Sequence, residues 1–332
     1  MGGYWQSAPP LDFGISGEAE PSLLLLLEAL VSHSGTATIP GLAYRNERGI
    51  VLNNQASPPI SLDTLPFPAW DGFDLEPYRS PYTASGRAMP IMASRGCPYT
   101  CPFCDIPIVE GRAIRYRNPR MVVDEMEWLA SSFGVTDVVF NDNVFTLNRS
   151  RTVALLQEMI RRKSPIRWMC STRVERVDEE IFQMMREAGC FRVYFGIESG
   201  SSKVQRQLRK TPNLELARER IGQGVAAGIT IEAGFIVGLP YDSKETILET
   251  IDYARSLPTA NVQFSYYLPL PGTKLHQDFP HRPDSALTPE FGFHNQPSFV
   301  PPGMNADELR SLVEGAYASA TSRLHDSSTH RS

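Results

Sequence analysis

The sequence predicts an α/β protein built on a parallel sheet with helical crossovers. Three observations carry that reading. Between Met89 and Leu275, short apolar strands alternate with amphipathic helical segments. The alternation runs well past what a single βαβ unit needs. Several of the helical segments open on an Asp or Ser suited to cap the first turn and have a Gly just past their end.

Taken in order, residues 21–33 read as one amphipathic-to-buried helix, and residues 39–45 with 49–52 as a short hairpin, together a small N-terminal unit. From residue 57 to 81 the prolines Pro58, Pro59, Pro66, Pro68, Pro77 and Pro81 forbid regular helix, while Phe67, Trp70 and Phe73 supply large apolar groups. That segment is expected to be strapped onto the main domain. Strand candidates follow at residues 90–93, 137–140, 167–170, 192–197, 230–237 and 262–267, with helix candidates between them at 119–133, 149–163, 178–188, 215–227 and 243–256. Right-handed crossovers between such strands give either an open doubly wound sheet or a curved partial barrel, and periodicity does not choose between them. After His276 the chain turns rich in Pro, then residues 305–323 read as a helix and residues 326–332 as a frayed polar tail.

A chain of 332 residues that is 42% hydrophobic and 21% charged suits one large domain with appendages. Its formal net charge of -5, with no Lys/Arg block interleaved with aromatics, argues against a nucleic-acid partner. The longest apolar run, residues 23–27 continued beyond Glu28 by Ala29, Leu30 and Val31, falls far short of the roughly 20 residues that a bilayer span requires. Met1-Gly2-Gly3-Tyr4-Trp5 lacks the basic start and apolar stretch of a signal peptide, so the expected location is cytoplasmic.

Cysteine placement carries the chemistry. Three of the 5 cysteines, Cys97, Cys101 and Cys104, crowd into Ser94-Arg95-Gly96-Cys97-Pro98-Tyr99-Thr100-Cys101-Pro102-Phe103-Cys104-Asp105, directly after the first strand of the repeat. That crowding suits a metal site in a reducing compartment better than a disulfide framework. The position is the C-terminal mouth of the sheet, where β/α folds place their reactive groups. Spacing of the form Cys-x3-Cys-x2-Cys lets three thiolates take three corners of a [4Fe–4S] cubane and leaves one iron open to a small molecule. A zinc site would want a fourth ligand, usually His, and none of His33, His276, His281, His294, His325 and His330 is spaced as a partner in this loop. Cys170 and Cys190 read as small buried hydrophobes, although Cys170 stands where it would point into the mouth.

At these residues the sequence resembles the radical S-adenosylmethionine (SAM) superfamily, whose hallmark is this cysteine spacing with an aromatic residue, here Phe103, just before the third cysteine. The resemblance covers roughly residues 89–275. It implies a partial (β/α)6 TIM-type barrel in which the open iron binds the amino and carboxylate groups of SAM. Electron transfer into the sulfonium then releases methionine and a 5′-deoxyadenosyl radical that abstracts hydrogen from substrate. The family's SAM contacts map onto this chain one by one. Phe103 resembles the residue whose backbone meets the adenine, and Glu198, ending the fourth strand, resembles the ribose-binding acid. Arg173 resembles the polar residue after the third strand that meets the SAM carboxylate. Gly234, Ile236 and Gly238 resemble a Gly-x-Ile-x-Gly pattern in which the isoleucine packs on adenine and the glycines allow close backbone approach. Asp142 occupies a position where relatives touch the methionine end of SAM, with helix capping or a turn as its alternative role. Leu268 begins the run Leu268-Pro269-Leu270-Pro271-Gly272-Thr273 that ends the sixth strand and is similar to a Pro-x-Pro-Gly-Thr turn.

Residues 61–70, the run Gly238-Leu239-Pro240-Tyr241-Asp242-Ser243-Lys244-Glu245-Thr246 and the Pro271-Gly272-Thr273 turn resemble the cobalamin-dependent branch, which includes methyltransferases and an anaerobic ring cyclase. Members of that branch carry a complete cobalamin-binding domain. Here Met1-Gly2-Gly3 and Gly17-Glu18-Ala19-Glu20-Pro21-Ser22 resemble only its last third, and the Asp-x-His-x-x-Gly motif that supplies the lower cobalt ligand is not in the sequence. The implied organisation is a cobalamin-domain remnant (1–56), a Pro-rich linker (57–88), the radical SAM core (89–275) and a helical C-terminal extension (276–332). The implied cofactors are a [4Fe–4S] cluster and SAM, with cobalamin possible in a longer form and not expected for this chain. The resemblance also implies a small-molecule substrate, undergoing C-methylation or rearrangement, and a reducing partner such as flavodoxin or ferredoxin. An electron-transfer or sensor protein without SAM turnover is the competing reading, and no residue is assigned a catalytic role beyond cofactor binding.

Overall fold

The computed structural model describes residues 11–46, 49–53, 59–79, 86–210, 213–259, 261–279 and 296–328. Met1-Gly2-Gly3, part of the 57–81 strap and the final residues 329–332 lie outside this set.

The N-terminal unit is β1 (Phe13–Ile15), α1 (Ala19–Val31), β2 (Leu42–Asn46) and β3 (Gly49–Leu52). All its strand pairs are antiparallel, so the unit is a small meander with one helix across it. The helix is less enclosed than its leucines suggest: Leu26 and Ala29 pack with Ile39 and Leu42, while Leu23, Leu24, Leu25, Leu27 and Leu30 remain exposed. A single small sheet covers only one stripe of a helix. The helical turns among the described residues of the Pro-rich strap are two of 3₁₀ type, Leu62–Thr64 and Trp70–Gly72. The strap lies on the main domain as expected, with the Phe67 ring tilted against Trp128 at 5.5 Å and Trp70 packed against the core.

The main domain contains β4 (Ala88–Ile91), β5 (Ser94–Arg95), α2 (Ile106–Val109), β6 (Arg115–Tyr116), α3 (Pro119–Phe133), β7 (Asp137–Phe140), α4 (Arg149–Arg162), β8 (Arg167–Thr172), α5 (Glu179–Glu187), β9 (Cys190–Glu198), α6 (Ser202–Leu208), α7 (Leu214–Ala226), β10 (Thr230–Val237), α8 (Lys244–Ser256) and β11 (Asn261–Tyr266). A short α9 (Lys274–Asp278) and the terminal α10 (Ala306–Ser328) complete it. The first core strand begins two residues earlier than expected. The terminal helix continues to Ser328 through part of the segment read as a frayed tail. Side chains at five N-caps satisfy an orphan N–H of the first turn: Asn118, Asn148, Asp178, Asn213 and Ser243 accept from the helices that follow them.

The six-stranded sheet has spatial order β11-β10-β9-β8-β7-β4, every pair parallel. Because spatial order follows chain order without a reversal, right-handed crossovers place the connecting helices on one face. This resolves the alternatives left by periodicity: a doubly wound sheet reverses its strand order, and this one does not. β4 and β11 do not pair with each other, so the sheet is a partial barrel.

Alternation along the strands separates two faces. Trp168 and Cys170 of β8, Val193, Phe195 and Ile197 of β9, and Ile231, Ala233, Phe235 and Val237 of β10 belong to the core beneath the helices. Cys170 therefore faces the helical layer and not the mouth: it is fully buried beside Cys190, which further raises its thiol pKa after burial itself has done so. The opposite face presents Arg192, Tyr194, Gly196, Glu232, Gly234 and Gln263, with Arg192 and Glu232 paired at 2.9 Å. Among the described residues no helix is long and apolar enough to cross a membrane.

α8 opens with a reciprocal capping box, in which Ser243 accepts from the Thr246 N–H and Thr246 Oγ1 accepts from the Ser243 N–H at 2.9 Å. Ser243→Ala is expected to lower the unfolding free energy by about 1 kcal/mol. Urea titration should show an earlier midpoint with an unchanged slope.

Candidate functional site

The three clustered cysteines lie on one loop at the C-terminal rim of the sheet. Its base is closed by β5 and β6, which pair antiparallel through Ser94↔Tyr116 and Arg95↔Arg115. Gly96, with φ of 94°, makes the turn into the loop, and a Cβ at this position would stand 2.3 Å from the Ala113 carbonyl oxygen. The Cys97 N–H donates to Gly111 O at 3.1 Å and the Cys104 N–H to Cys101 O at 3.2 Å. All three thiols are free.

Burial pushes the Cys97 and Cys104 thiols upward, Cys104 to about 11, and the charge of Cys101 adds to the rise in both. The sulfurs thus share one electrostatic environment, and metal binding here would have to displace protons. Among the described residues no three His, Cys, Asp or Glu side chains are grouped to hold a single ion. A cubane offers each thiolate its own iron, so an all-thiolate loop of this kind fits a cluster that Cys97, Cys101 and Cys104 could hold.

A buried polar scaffold fixes the strand that leads into the loop. At the end of β7, Asp142 accepts from the Ala93 N–H at 2.9 Å through Oδ2 and from the Ser94 hydroxyl through Oδ1. Asn143 Nδ2 donates to Glu110 Oε2 at 2.7 Å, and that same oxygen accepts from the Gly96 N–H at 2.8 Å. Arg117 holds the Met92 carbonyl at 2.8 Å, and Arg151 the Ala93 carbonyl at 3.2 Å. The helix start of the N-terminal unit braces the same hairpin, since Glu20 pairs with Arg95 at 2.6 Å and Glu18 with Arg115.

Arg173, 5% exposed, joins the loop to the next part of the site. Its guanidinium lies 3.9 Å over the Tyr99 ring, directs Nη1 at Cys101 Sγ across 3.7 Å, donates to the Lys210 carbonyl and pairs with Glu175. Lys210 in turn meets Glu198, whose Oε1 is 3.1 Å from Nζ. Glu198 has φ of 71°, a left-handed conformation rare for a non-glycine residue. It follows a bulge where β9 pairing to β10 passes from Gly196 to Glu198 and skips Ile197.

Beside Cys104 opens a cavity of about 370 Å³, lined by Phe103, Glu198, Ile236 and Leu268, with Ser265 beside Ile236 in the sheet and Tyr194 and Gln263 further from the rim on the inner face. Four of the sequence-derived residues are therefore brought together: Phe103, Glu198, Ile236 and Leu268. Asp142 and Arg173 lie outside this wall, the first under the strand entering the cysteine loop and the second against Cys101. Gly234 lies beneath the Tyr194 phenol, whose oxygen would be 1.7 Å from an added Cβ. Gly238 meets Leu309 of α10, 2.9 Å from where its Cβ would be. Phe299, which follows a segment (291–295) outside the described set, packs at 5.7 Å on Tyr267. Sequence reasoning missed Tyr99, Glu110, Asn143 and Lys210. Asn143 adjoins a residue already singled out, but the others carry no local pattern.

A parallel sheet with all crossovers on one side and a three-cysteine loop at its rim defines a class. Residues 91–254 match the family model of the Radical SAM superfamily, and the chain belongs to that superfamily. It is 30% identical over 271 residues to an uncharacterized methyltransferase of Pyrococcus horikoshii, covering 81% of this chain and 58% of that protein. It is also 30% identical over 318 residues to the anaerobic magnesium-protoporphyrin IX monomethyl ester cyclase of Rubrivivax gelatinosus, covering 94% and 57%. The chain thus spans somewhat over half the length of these relatives. In fold it resembles the radical SAM methyltransferase TsrM from Kitasatospora setae, solved with cobalamin and a [4Fe–4S] cluster bound, with a TM-score of 0.66 and 24% identity over 80% of this chain and 53% of that one. The superfamily implies a [4Fe–4S] cluster, SAM, and a reductant.

Burial raises the Asp142 carboxyl to about 6, against hydrogen bonds from Ser94 and Ala93 that lower it. A carboxyl whose folded pKa exceeds its unfolded value binds more protons when folded, so its contribution to stability is full below about pH 4 and is lost as pH rises through about 6. Asp142→Asn, which can still accept from Ala93, removes that dependence. Between pH 5 and 7.5 the variant should gain on the order of 1 kcal/mol relative to the parent protein in urea unfolding. An equal response to pH in both would overturn the assignment.

Proposed function

We propose that this chain binds SAM in the cavity beside Cys104 and cleaves it reductively at a [4Fe–4S] cluster held by Cys97, Cys101 and Cys104, for C-methylation or rearrangement of a small metabolite. The observation that carries the reading is the cavity of about 370 Å³ that has Phe103, Cys104, Glu198 and Ile236 on one wall. An electron carrier has no need of such a space, or of a carboxylate beside its cluster.

Cys97, Cys101 and Cys104 would hold the cluster, which when bound would supply the single electron for reductive cleavage of the SAM sulfonium. The chain's own groups orient the reactant. Glu198 presents a carboxylate to the ribose hydroxyls, Ile236 and Phe103 offer apolar contact to the adenine, and Arg173 sets positive charge beside Cys101. Tyr194, Gln263 and Ser265, which also line the cavity, supply polar contacts for a substrate near the reacting carbon.

For the chain as given we propose weak or no corrinoid binding. Support comes from the described N-terminal unit, a three-stranded antiparallel sheet with one helix, whose histidine, His33, is exposed at the end of α1. Stoichiometric co-elution of hydroxocobalamin on anaerobic gel filtration would refute this.

Anaerobic incubation of the reconstituted protein with SAM and dithionite should yield 5′-deoxyadenosine. Replacing Cys97, Cys101 or Cys104 by Ala should abolish both the product and the iron–sulfur absorbance, whereas Cys190→Ala, in the core under the helices, should preserve the absorbance. Glu198→Ala should keep the cluster and weaken SAM binding by about 1–3 kcal/mol. A clustered protein that releases no 5′-deoxyadenosine would sink the reading.

A further inference from the structure

We propose that Lys210 is a positioning residue for the nucleotide end of SAM: its ammonium fixes the Glu198 carboxylate at the cavity wall and, with Arg173, sets two positive charges against the cysteine loop. The proposal rests on the SAM reading of the cavity and adds to it a residue that no motif marks.

Glu198 leaves β9 in a left-handed backbone conformation after a bulge, so its direction is set by its side-chain partner as much as by the sheet. That partner is Lys210, 3.1 Å from Oε1. The pair lies over the backbone of Gly196, where an added Cβ would be 2.3 Å from Glu198 Oε1 and 3.2 Å from Lys210 Nζ. A side chain at residue 196 would therefore collide with the ion pair, and glycine makes room for it.

Lys210 is itself held from two directions. Arg209, the C-cap of α6, adopts φ of 51° and turns the chain back toward the sheet. The Lys210 carbonyl then accepts from Arg173 Nη2, while the same guanidinium points Nη1 at Cys101 Sγ across 3.7 Å. Glu198, Lys210, Arg173 and Cys101 thus form one continuous chain of contacts from the cavity wall to the cysteine loop.

The chemistry of the pair fits a ribose. A carboxylate has two acceptor oxygens, and an ammonium that donates to Oε1 leaves Oε2 for hydroxyl donors. Both side chains are largely enclosed, Lys210 15% and Glu198 10% exposed, so removing the ammonium would leave a buried carboxylate without its charge partner. Burial disfavours the Lys210 ammonium, but Glu198 and then Cys101 more than offset this and raise its pKa. Arg173 Nη1 stands 3.7 Å from Cys101 Sγ, and Lys210 is joined to that guanidinium through its carbonyl. A cation within this range stabilises an added electron on whatever the cysteines hold.

The test compares reconstituted holoprotein with Lys210→Met, Lys210→Gln, Lys210→Arg, Glu198→Gln and the Lys210→Met/Glu198→Gln double variant. Iron and sulfide content, SAM affinity from spectroscopic titration, and the cluster midpoint potential are measured for each. Lys210→Met should keep its iron, bind SAM at least about tenfold more weakly and have a lower midpoint potential. Lys210→Arg should restore both to near the parent values, because it keeps the charge. In the Glu198→Gln background, Lys210→Met should add little to the loss of affinity, as expected for a residue acting through Glu198. Parent-like affinity and potential in Lys210→Met would overturn the proposal. Loss of iron from both Lys210→Met and Lys210→Gln would also overturn it, making Lys210 a support of the cysteine loop. A parent protein that holds its cluster but binds no SAM would overturn the SAM reading, and this proposal with it.

Discussion

The direction of strand progression is the constraint on which the rest of the structure depends. Six parallel strands laid down in chain order, each joined to the next by a right-handed crossover, must put their helices on one face and their C-terminal ends along one rim. The cysteine loop after β4, the Asp142–Asn143 turn after β7, Arg173 after β8, Glu198 at the end of β9 and Leu268 after β11 come from distant parts of the sequence. They become neighbours because every strand ends on the same side.

The rim is then made rigid by buried polar contacts. Asp142, Glu110, Asn143, Arg117 and Arg151 each hold backbone groups of the residues that enter the cysteine loop, or hold one another. Loops that must keep three ligands in register cannot rely on apolar packing alone, since apolar contacts are not directional. Buried hydrogen bonds fix orientation, and each unmade one would be costly. The N-terminal unit contributes to the same frame through Glu18 and Glu20, which ties its small meander to the chemistry of the main domain.

The two faces of the sheet divide the labour. Large apolar side chains such as Trp168, Phe182, Phe195 and Phe235 are fully buried in the core between sheet and helices. The inner face carries Arg192, Glu232, Tyr194 and Gln263, polar groups that a packed core would exclude but that suit a surface shaped for a ligand. Cys170 shows how strict this division is. One position along β8 decides that it faces Trp168 and the helices, and strand alternation leaves it no route to the mouth.

Much of this was legible in the residues. Hydrophobic alternation marked every core strand, and caps such as Asp178 and Ser243 marked where helices begin, because both signals are local and depend on side chains a few positions apart. The spacing of Cys97, Cys101 and Cys104, with Phe103 before the third, likewise carried the resemblance to the radical SAM superfamily, since one loop holds all three cysteines. The exposed leucines of α1, the sequential order of the sheet and the buried orientation of Cys170 were decided by which surfaces meet. So was the pairing of Lys210 with Glu198: no spacing rule joins a residue beyond α6 to the end of β9, and only the bulge at Ile197 and the space over Gly196 bring them together. Sequence alone determined the strands, the helix starts and the crowding of the three cysteines on one loop, because these follow from short-range periodicity and local spacing. Tertiary structure decided which of the remaining polar groups face one another, because burial and electrostatic contact between distant residues exist only once the chain has folded.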